Sequence, residues 1–413
     1  MSDHINKYDY VRFSVADMHG RSRGRVVPAR HVKRYLKKGV TLFAGALSFD
    51  LNNEDTIIPS PLLKDGRQPK VYAHPDLNTL YNVSWSGKDD VLVAEVICES
   101  YWLKDGSAQQ ACPRYVARQQ LERLASSGYS FFSGFELEFT LTKVENTLSL
   151  QKGYGSQRFV SKHSDFLFYF DKHMSQAGVD IDSFHSEYAG SSIEMVKRPY
   201  DGIKSADSCV VLKNGILEMG DKKDYRISFD AKQESGTVGM HFNHSLWSLS
   251  KGINIFHNPD GLHGLSTLGK HWLGGLMKHA KALTALWCPT ANCYDRLHEP
   301  DRPGLIFWSN DIGAACFKVK SLETGTYLEN RIPSGMSNPY ITLAATIAAG
   351  LDGIVKKLEC PPVDQSSSCA LPCTLSEAIK ELQGDTDMVN SLGKEFIEWF
   401  VCTIKTDIES NVV

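Results

Sequence analysis

The sequence predicts a mixed α+β fold in two parts, and three observations lead to this prediction. A chain of 413 residues is longer than most single compact domains. Its first hundred residues contain short runs of alternating apolar and polar residues separated by turn residues, which is typical of a small sheet. After Lys104-Asp105-Gly106 the chain mixes strand-like and helix-like segments. We therefore expect one domain over residues 1–106 and a larger one over residues 107–413.

Extended segments dominate the first part. YDYVRFSVADMHG alternates apolar and polar residues until Gly20, and a second extended run starts at Gly24. VLVAEVIC is a third such run, with the apolar, β-branched composition of a buried strand. We expect strands near residues 8–20, 24–28, 70–73 and 91–98, with one short helix near 29–38.

An amphipathic helix opens the second part. Pro113 suits the first helical turn, RYVARQQLERLASSG follows the helical period, and Gly128 is the stop signal. Strands and helices then mix up to about residue 354, and the last forty residues predict two amphipathic helices.

Composition and charge argue against several classes of protein. Lys+Arg 45 against Asp+Glu 48 gives a net charge of −3, without the basic excess of nucleic-acid or anionic-membrane binders. The longest apolar stretch, Tyr340 to Leu351, is too short to span a bilayer. Ten cysteines without a CxxC pair and a polar amino end favour reduced thiols and a cytoplasmic location.

Three predicted strands carry polar side chains that share a face. In GFELEFTL, Glu136 and Glu138 point away from the apolar face. In GMHFNHSLW, His241 shares a face with Asn243 and Ser245. Glu329 and Arg331 share a face in YLENRIP, and SEYAGSSIE holds Glu187 and Glu194 seven residues apart.

Two interpretations of these strands stay open at this point. Alternating carboxylates are usually the solvent face of a half-buried strand, and a lone histidine is usually a hydrogen-bonded core residue. If the strands are instead neighbours, five carboxylates and one imidazole without a sulfur ligand suit hard divalent ions such as Mg²⁺ or Mn²⁺. We expect the other histidines, His185, His244 and His279, to be structural.

The order of these motifs resembles glutamine synthetase of the bacterial, or class I, type. GFELEF, ExxxxxxE, GMHxxxSL, RL, and ExR followed by NPY occur in that order, and the resemblance covers essentially the whole chain. It implies an N-terminal β-grasp domain followed by a catalytic-type domain, in which helices surround an antiparallel sheet shaped as a funnel. It also implies ATP-dependent joining of glutamate and ammonia through a γ-glutamyl phosphate, with two metal ions.

The resemblance assigns roles residue by residue. One Mg²⁺ or Mn²⁺ site is implied at Glu138, Glu187 and Glu194, and the other at Glu136, His241 and Glu329. Arg296 and Arg331 stand where the family binds its amino-acid substrate, and a guanidinium offers paired donors to a carboxylate. The nucleotide side, where ATP would bind, is implied at Asn243, Ser245 and Lys318.

The departures from the family fall on residues that do chemistry. The family's Phe-Asp-Gly-Ser-Ser segment reads Phe43-Ala44-Gly45-Ala46-Leu47, so the ammonium-binding carboxylate is missing. The glutamate of the family's flexible loop does not align cleanly, and Asp301 and Glu299 are the candidates to replace it; we keep Asp301 as the candidate catalytic residue.

The phosphate-binding and nucleotide-side residues also depart. In Ile312-Gly313-Ala314-Ala315-Cys316-Phe317-Lys318, one family arginine is replaced by Gly313 and another by Lys318. Lysine keeps the charge but not the planar fork of donors. Asn243 replaces a nucleotide-side histidine.

These departures are similar to those of the lengsin branch of the family, which keeps the fold without synthetase activity. The leading hypothesis is a non-catalytic, metal-binding protein with a structural or chaperone-like role, for which intermediate filament proteins are the implied partners. The alternatives are an active glutamate–ammonia or γ-glutamyl-amine ligase, and a protein whose carboxylates bind nothing. A homo-oligomer is expected, and because the chain stops at Val413, a hexamer and a dodecamer both remain open.

Overall fold

The computed structural model describes residues 5–51, 62, 69–87, 90–143, 153–188, 191–234, 236–365 and 369–409. A six-stranded sheet forms from the amino-terminal part of the chain, with the order β2-β1-β6-β4-β3 and β5 paired to β6. β1 runs parallel to β6, and the other pairs are antiparallel. Its strands are β1 (Tyr10–Ala16), β2 (Ser22–Pro28), β3 (Val40–Phe43), β4 (Lys70–Pro75), β5 (Tyr81–Asn82) and β6 (Val93–Trp102), with the short helix α1 (Ala29–Val32) between β2 and β3.

A nine-stranded sheet holds the centre of the remaining chain. Its path is β15-β16-β17-β14-β7-β9-β8, with β10 and β11 paired to β7, and only the β15–β16 pair is parallel. The strands are β7 (Tyr129–Lys143), β8 (Ile181–Ser186), β9 (Ser192–Lys197), β10 (Tyr200–Asp201), β11 (Tyr225–Ser228), β14 (Met240–Ser248), β15 (Trp308–Ser309), β16 (Phe317–Leu322) and β17 (Gly325–Asn330); β12 (Lys232–Gln233) and β13 (Gly236–Thr237) form a separate pair.

Strand β7 explains why this sheet can carry a polar site. Phe135, Leu137 and Phe139 are fully buried, and the ring of Phe135 packs 4.6 Å from that of Phe242 on β14. One face of the strand therefore belongs to the apolar core, as its alternation predicts. The intervening glutamates must face the other side.

Helices surround the sheet. The helices are α2 (Pro113–Ser126), α3 (Gln157–Lys162), α4 (Ser164–Gln176), α5 (Lys204–Lys222), α6 (Thr267–Trp287), α7 (Asn292–Leu297), α8 (Pro339–Lys356), α9 (Leu375–Gly384), α10 (Thr386–Leu392) and α11 (Lys394–Glu409). α6 packs on α8 at Gly275, where a Cβ would come within 2.2 Å of the Ala349 carbonyl oxygen. No helix within the described ranges is long and apolar enough to cross a bilayer.

The mixed α+β class is confirmed, and one element prediction is wrong. The end of the chain holds three helices instead of two, because Asp385 separates α9 from α10. Its carboxylate accepts a hydrogen bond from the Met388 amide at 3.1 Å and so caps a new helix. The division of the chain after residue 106 and the β-grasp description of the first domain stay predictions.

Candidate metal centre

The polar side chains of five neighbouring strands meet on one face of the larger sheet. Glu136 on β7 lies opposite His241 on β14. β9 flanks the other side of β7, and there Glu138 lies opposite Glu194. Glu329 on β17 lies opposite Asn243, two residues after His241. Side chains that face each other across adjacent strands are close enough to act together, so the register assembles groups that are distant in sequence.

Glu136, His241 and Glu329 form the first group, which we call the His241 cluster. The Nδ1 atom of His241 lies 3.3 Å from Glu136 Oε2 and 3.5 Å from Glu329 Oε1. Asn243 donates a hydrogen bond to Glu136 Oε1 at 2.8 Å. One ligand atom of each residue lies within 4.8 Å of the others, so a single ion could contact all three.

Burial keeps the imidazole of the His241 cluster neutral. Burial, helped by the nearby charge of Arg331, lowers the pKa of His241 to about 3, so the imidazole is neutral at pH 7. Burial by itself would raise the pKa of Glu329, but the neighbouring groups, led by His241 and Arg331, lower it. Because the imidazole is neutral, Arg331 and Lys320 are the cations beside this carboxylate at pH 7. A neutral imidazole and ionised carboxylates are the forms that bind metals.

His185, Glu187 and Glu194 form the second group, the His185 cluster. His185 lies opposite Glu194 in the β8–β9 register. Its Nδ1 atom is 3.6 Å from Glu187 Oε1, and its Nε2 atom is 3.9 Å from Glu194 Oε1. Residues 189–190, which separate the two glutamates in the sequence, lie outside the described part of the chain. Glu138 accepts a hydrogen bond from the Gly239 amide at 2.8 Å.

The sequence prediction omitted His185, although a signal for it was present. His185 and Glu187 are two residues apart in the extended run IDSFHSE, so they share a face of the strand. The sequence analysis predicted a purely structural role for His185, whereas its side chain lies where a metal ligand could lie.

Crowding of carboxylates raises the proton affinity of the His185 cluster. Burial first, and then the negative charges of Glu136, Glu138 and Glu187, raise the pKa of Glu194 to about 9. Burial and the charge of Glu138 also raise the pKa of Glu187. Like charges that share a buried site hold protons unless a cation compensates them. A donor set of carboxylates and imidazoles therefore fits divalent ions, and the two clusters give places for two of them.

A third group with metal-like spacing has a different explanation. His279, Asp352 and Asp387 also place ligand atoms within 4.8 Å of one another. Here Lys356 contacts Asp352 at 2.8 Å and Asp387 at 2.7 Å, and both ring nitrogens of His279 are hydrogen-bonded to carboxylates, so neither nitrogen is available to a metal ion. This group is an ion-pair cluster between helices.

Arg296 on α7 is fully buried, and its contacts lie next to the ends of β14 and β17. Its guanidinium donates to the carbonyl oxygens of Ile332 at 2.9 Å and Arg331 at 3.1 Å. A Cβ at position 239 would lie 2.4 Å from Arg296 Nη2, so only glycine lets the guanidinium come this close. The same Gly239 donates its amide to Glu138, which ties the arginine to the predicted metal site.

Arg331 and Lys318 lie beside Glu329. Arg331 forms an ion pair with Glu329 and donates through Nε to the Gly313 carbonyl oxygen at 3.0 Å. Lys318 is opposite Glu329 in the β16–β17 register, and Lys320 Nζ contacts Glu329 Oε2 at 3.2 Å. At Gly313 itself, a Cβ would meet nothing within 4 Å. Lys318 is thus the one cationic residue of segment 312–318, and it lies on β16 together with Lys320.

The remaining predicted site residues are placed as follows. Ser245 is buried and accepts a hydrogen bond from Trp247 Nε1 at 3.1 Å. Asp301 lies on an exposed turn with a left-handed backbone, φ 61°. Ala44 is fully buried, and its carbonyl oxygen accepts a hydrogen bond from Gln109 Nε2 at 2.8 Å. The substrate, nucleotide and catalytic roles assigned to these residues, to Arg296, Arg331, Asn243 and Lys318, and to the metal ligands stay predictions.

Comparison with known proteins identifies the family of this chain. A family model described as the glutamine synthetase catalytic domain matches residues 110–411. The chain belongs to the glutamine synthetase family. Proteins of this family generally use divalent metal ions and ATP and are typically oligomeric.

Individual relatives narrow this assignment to a lengsin-like member of the family. Lengsin from Homo sapiens is 30% identical, and the alignment covers 99% of this chain and 82% of lengsin. A glutamate–methylamine ligase from Methyloversatilis universalis is 28% identical over 94% of this chain and 90% of the ligase. A solved structure described as a novel glutamine synthase homolog superposes with a TM-score of 0.87 at 25% identity, covering 98% of this chain and 95% of its own. The relatives thus include a ligase as well as lengsin.

Proposed function

We propose that this chain is a lengsin-like glutamine synthetase homologue that binds two divalent cations and makes little or no glutamine from glutamate and ammonia. One observation carries the proposal. Carboxylates and imidazoles converge in the His241 and His185 clusters, whereas the segments that resemble the ammonium and phosphate sites offer a buried methyl group at Ala44 and no side chain at Gly313.

The metal part of the proposal is supported by the electrostatics of the clusters. Glu136, His241 and Glu329 would hold one Mg²⁺ or Mn²⁺ ion, and Glu138, Glu187 and Glu194 the other. Divalent ions at such a site hold the phosphates of a bound nucleotide and shield their charge. Without a cation, burial and neighbouring carboxylates hold the pKa of Glu194 near 9. A protein whose carboxylates bound nothing would keep this unfavourable crowding without any benefit.

The loss of ligase activity is supported by the size of the missing contributions. An arginine that stabilises a phosphoryl-transfer transition state contributes about 10³–10⁵ in rate. A positioned proton-accepting carboxylate contributes about 10²–10⁴. Without the family's arginine at Gly313 and its aspartate at Ala44, ammonia-dependent turnover would fall towards the uncatalysed rate, while cation binding would survive.

A second candidate function is a γ-glutamyl ligase that uses an organic amine or another acid. The glutamate–methylamine ligase relative, which aligns over most of its length, favours this alternative. A larger amine would not need the ammonium pocket that Ala44 alters. The metal ligands and Arg296 would keep their predicted roles in such an enzyme.

A coupled phosphate-release assay with glutamate, ATP and Mg²⁺ tests both candidates. We expect no phosphate release above blank with ammonium, and calorimetry with Mn²⁺ on the same preparation to show binding. Glu138→Ala serves as the variant with a damaged metal site. Turnover of about 1 s⁻¹ or faster with ammonium would disprove the proposal. Phosphate release only with methylamine or a larger amine would select the second candidate.

The assembly, location and partners are proposed by analogy with the family. We infer a homo-oligomeric ring, hexameric or dodecameric, in the cytoplasm. Intermediate filament proteins are the proposed partners, and this part rests on the lengsin relationship alone. Light scattering on the purified protein would distinguish the two ring sizes by mass, and a monomer would contradict both.

A further inference from the structure

His185 completes a row of polar side chains across three adjacent strands. Glu138 on β7 pairs in register with Glu194 on β9, and Glu194 pairs with His185 on β8. Residues directly opposite each other on neighbouring strands project from the same face. The imidazole therefore lies on the same face as the predicted ligands Glu138 and Glu194.

Hydrogen bonding determines which ring nitrogen is available. His185 Nδ1 lies 3.2 Å from the Ser186 carbonyl oxygen, which can only accept, so Nδ1 carries the proton of the neutral ring. The lone pair is then on Nε2, which lies 3.9 Å from Glu194 Oε1. A backbone carbonyl that fixes one ring nitrogen while the other faces a carboxylate is a common arrangement around metal-bound histidines.

The distances suit a shared cation better than a direct contact. A separation of 3.9 Å between His185 Nε2 and Glu194 Oε1 is too long for a hydrogen bond. Two ligands that each bind one ion at about 2.1 Å can be up to about 4.2 Å apart. One ligand atom from each of His185, Glu187 and Glu194 lies within 4.8 Å of the others when either ring nitrogen is counted as the histidine ligand atom.

We propose that His185 is a ligand of the cation held by Glu187 and Glu194. The inference rests on the proposed metal-binding function and specifies the chemistry of one of its sites. The His185 cluster then matches the His241 cluster, with one imidazole and at least two carboxylates in each. Nitrogen ligands favour Mn²⁺ and Zn²⁺ over Mg²⁺, which prefers oxygen ligands and bound water.

Equilibrium calorimetry with Mn²⁺, Zn²⁺ and Mg²⁺ tests the assignment. We expect His185→Ala to weaken Mn²⁺ and Zn²⁺ binding at one site by at least about tenfold. Mg²⁺ affinity should change by less than about twofold, because water replaces the imidazole readily around this ion. The matched control is His271→Ala. His271 lies on helix α6, is also half-buried, and has its Nδ1 atom 2.9 Å from the backbone carbonyl oxygen of Leu358.

If His185→Ala and His271→Ala both bind metal more weakly because the fold is perturbed, a spectroscopic measurement still tests the role of His185. In the His241→Ala variant loaded with Mn²⁺, pulsed electron paramagnetic resonance should still detect nitrogen coupled to the ion. Adding His185→Ala should remove that signal.

The outcomes separate the two proposals. Suppose that the wild-type protein binds Mn²⁺. Unchanged affinity in His185→Ala, or no nitrogen signal in His241→Ala, would then overturn the role of His185 and leave the proposed function intact. Wild-type protein that binds no cation overturns both. The two are therefore distinguishable in one set of titrations.

Discussion

Glu194 shows at the scale of one residue how a binding site opposes stability. Its carboxyl group is mostly buried and is surrounded by the charges of Glu136, Glu138 and Glu187. Burial of a charged group is unfavourable unless an opposite charge or a hydrogen bond compensates it. The side chain therefore destabilises the metal-free fold, and under the proposed function a bound cation would offset this cost.

Replacement of Glu194 by glutamine should separate these two effects. Glu194→Gln removes one acid from the cluster while keeping the shape of the side chain, so we expect a melting temperature in EDTA equal to or above that of the wild type. The rise in melting temperature on adding Mn²⁺ should be reduced, because a ligand stabilises only through its affinity for the folded state. Thermal melts with and without Mn²⁺ measure both quantities.

The exposed Glu381 on α9 offers the matched control. Glu381→Gln should melt like the wild type under both conditions. A Glu194→Gln variant that melts well below the wild type in EDTA would contradict the destabilising role of the carboxylate.

At the scale of elements, an ion-pair cluster joins α6, α8 and α10. The buried His279 of α6 contacts Asp385 through Nδ1 at 2.6 Å and Asp352 of α8 through Nε2 at 2.9 Å. Both ring nitrogens therefore face acceptors, which suits the doubly protonated imidazolium. Lys278 and Lys356 contact Asp387 of α10 and complete the cluster.

This cluster should make stability depend on pH. Burial lowers the pKa of His279, but its hydrogen bonds to Asp385 and Asp352 raise the pKa by more than burial lowers it. The net result is a raised pKa. The folded state then binds the proton more tightly than the unfolded chain, whose histidine titrates near about 6.5. The stabilisation is fully present below that value and is lost as the pH rises through the higher pKa of the folded state.

Urea unfolding at pH 6 and pH 9 measures the effect. His279→Gln should lower the unfolding midpoint more at pH 6 than at pH 9, because the wild type has the stabilising charge only at the lower pH. The exposed His31 provides the control, and His31→Gln should shift neither midpoint. An equal loss at both pH values would show that His279 contributes packing alone.

At the scale of the whole molecule, Arg114 connects the amino-terminal sheet to the helices of the larger part of the chain. This buried arginine on α2 contacts Glu99 of β6 at 3.1 Å and Asp76, after β4, at 2.9 Å. It also contacts Asp207 of α5 at 2.8 Å, and Asp207 accepts a hydrogen bond from Tyr340 of α8 at 2.6 Å. One guanidinium therefore compensates three carboxylates at the junction between the amino-terminal sheet and the helices.

Removal of this guanidinium should strongly destabilise the fold. We expect Arg114→Met to lower the free energy of unfolding by about 3–5 kcal/mol, because it leaves the buried carboxylate of Asp207 without its cation. Arg158→Met, at an exposed position on α3, should change it by less than about 0.5 kcal/mol. Urea denaturation measures both, and a loss below about 1 kcal/mol for Arg114→Met would contradict the role of the network.

The sequence predicted the local part of this structure well. Strands were expected where β1, β2, β4 and β6 lie, and α2 begins at Pro113 as predicted. The division of β7 into an apolar and an acidic face also followed from alternation alone, because side-chain direction along a strand has a period of two. The helix break at Asp385 was missed because the apolar period continues through it, although Gly384 followed by Asp385 is a sequence signal for a helix stop and a new N-cap.

By itself, the sequence determined which donors were available and which face of each strand they occupied, since both depend on residue identity and local backbone geometry. Residue identity and local geometry could not decide which donors meet, and the tertiary structure did: it pairs Glu136 with His241, which the family resemblance had also grouped, and His185 with Glu194, which it had not. Strand register depends on packing between segments that are distant along the chain, and a slip of one residue would move every side chain to the other face. The same dependence explains why His185, a single histidine in an extended run, became a candidate ligand only when its neighbours across the sheet were known.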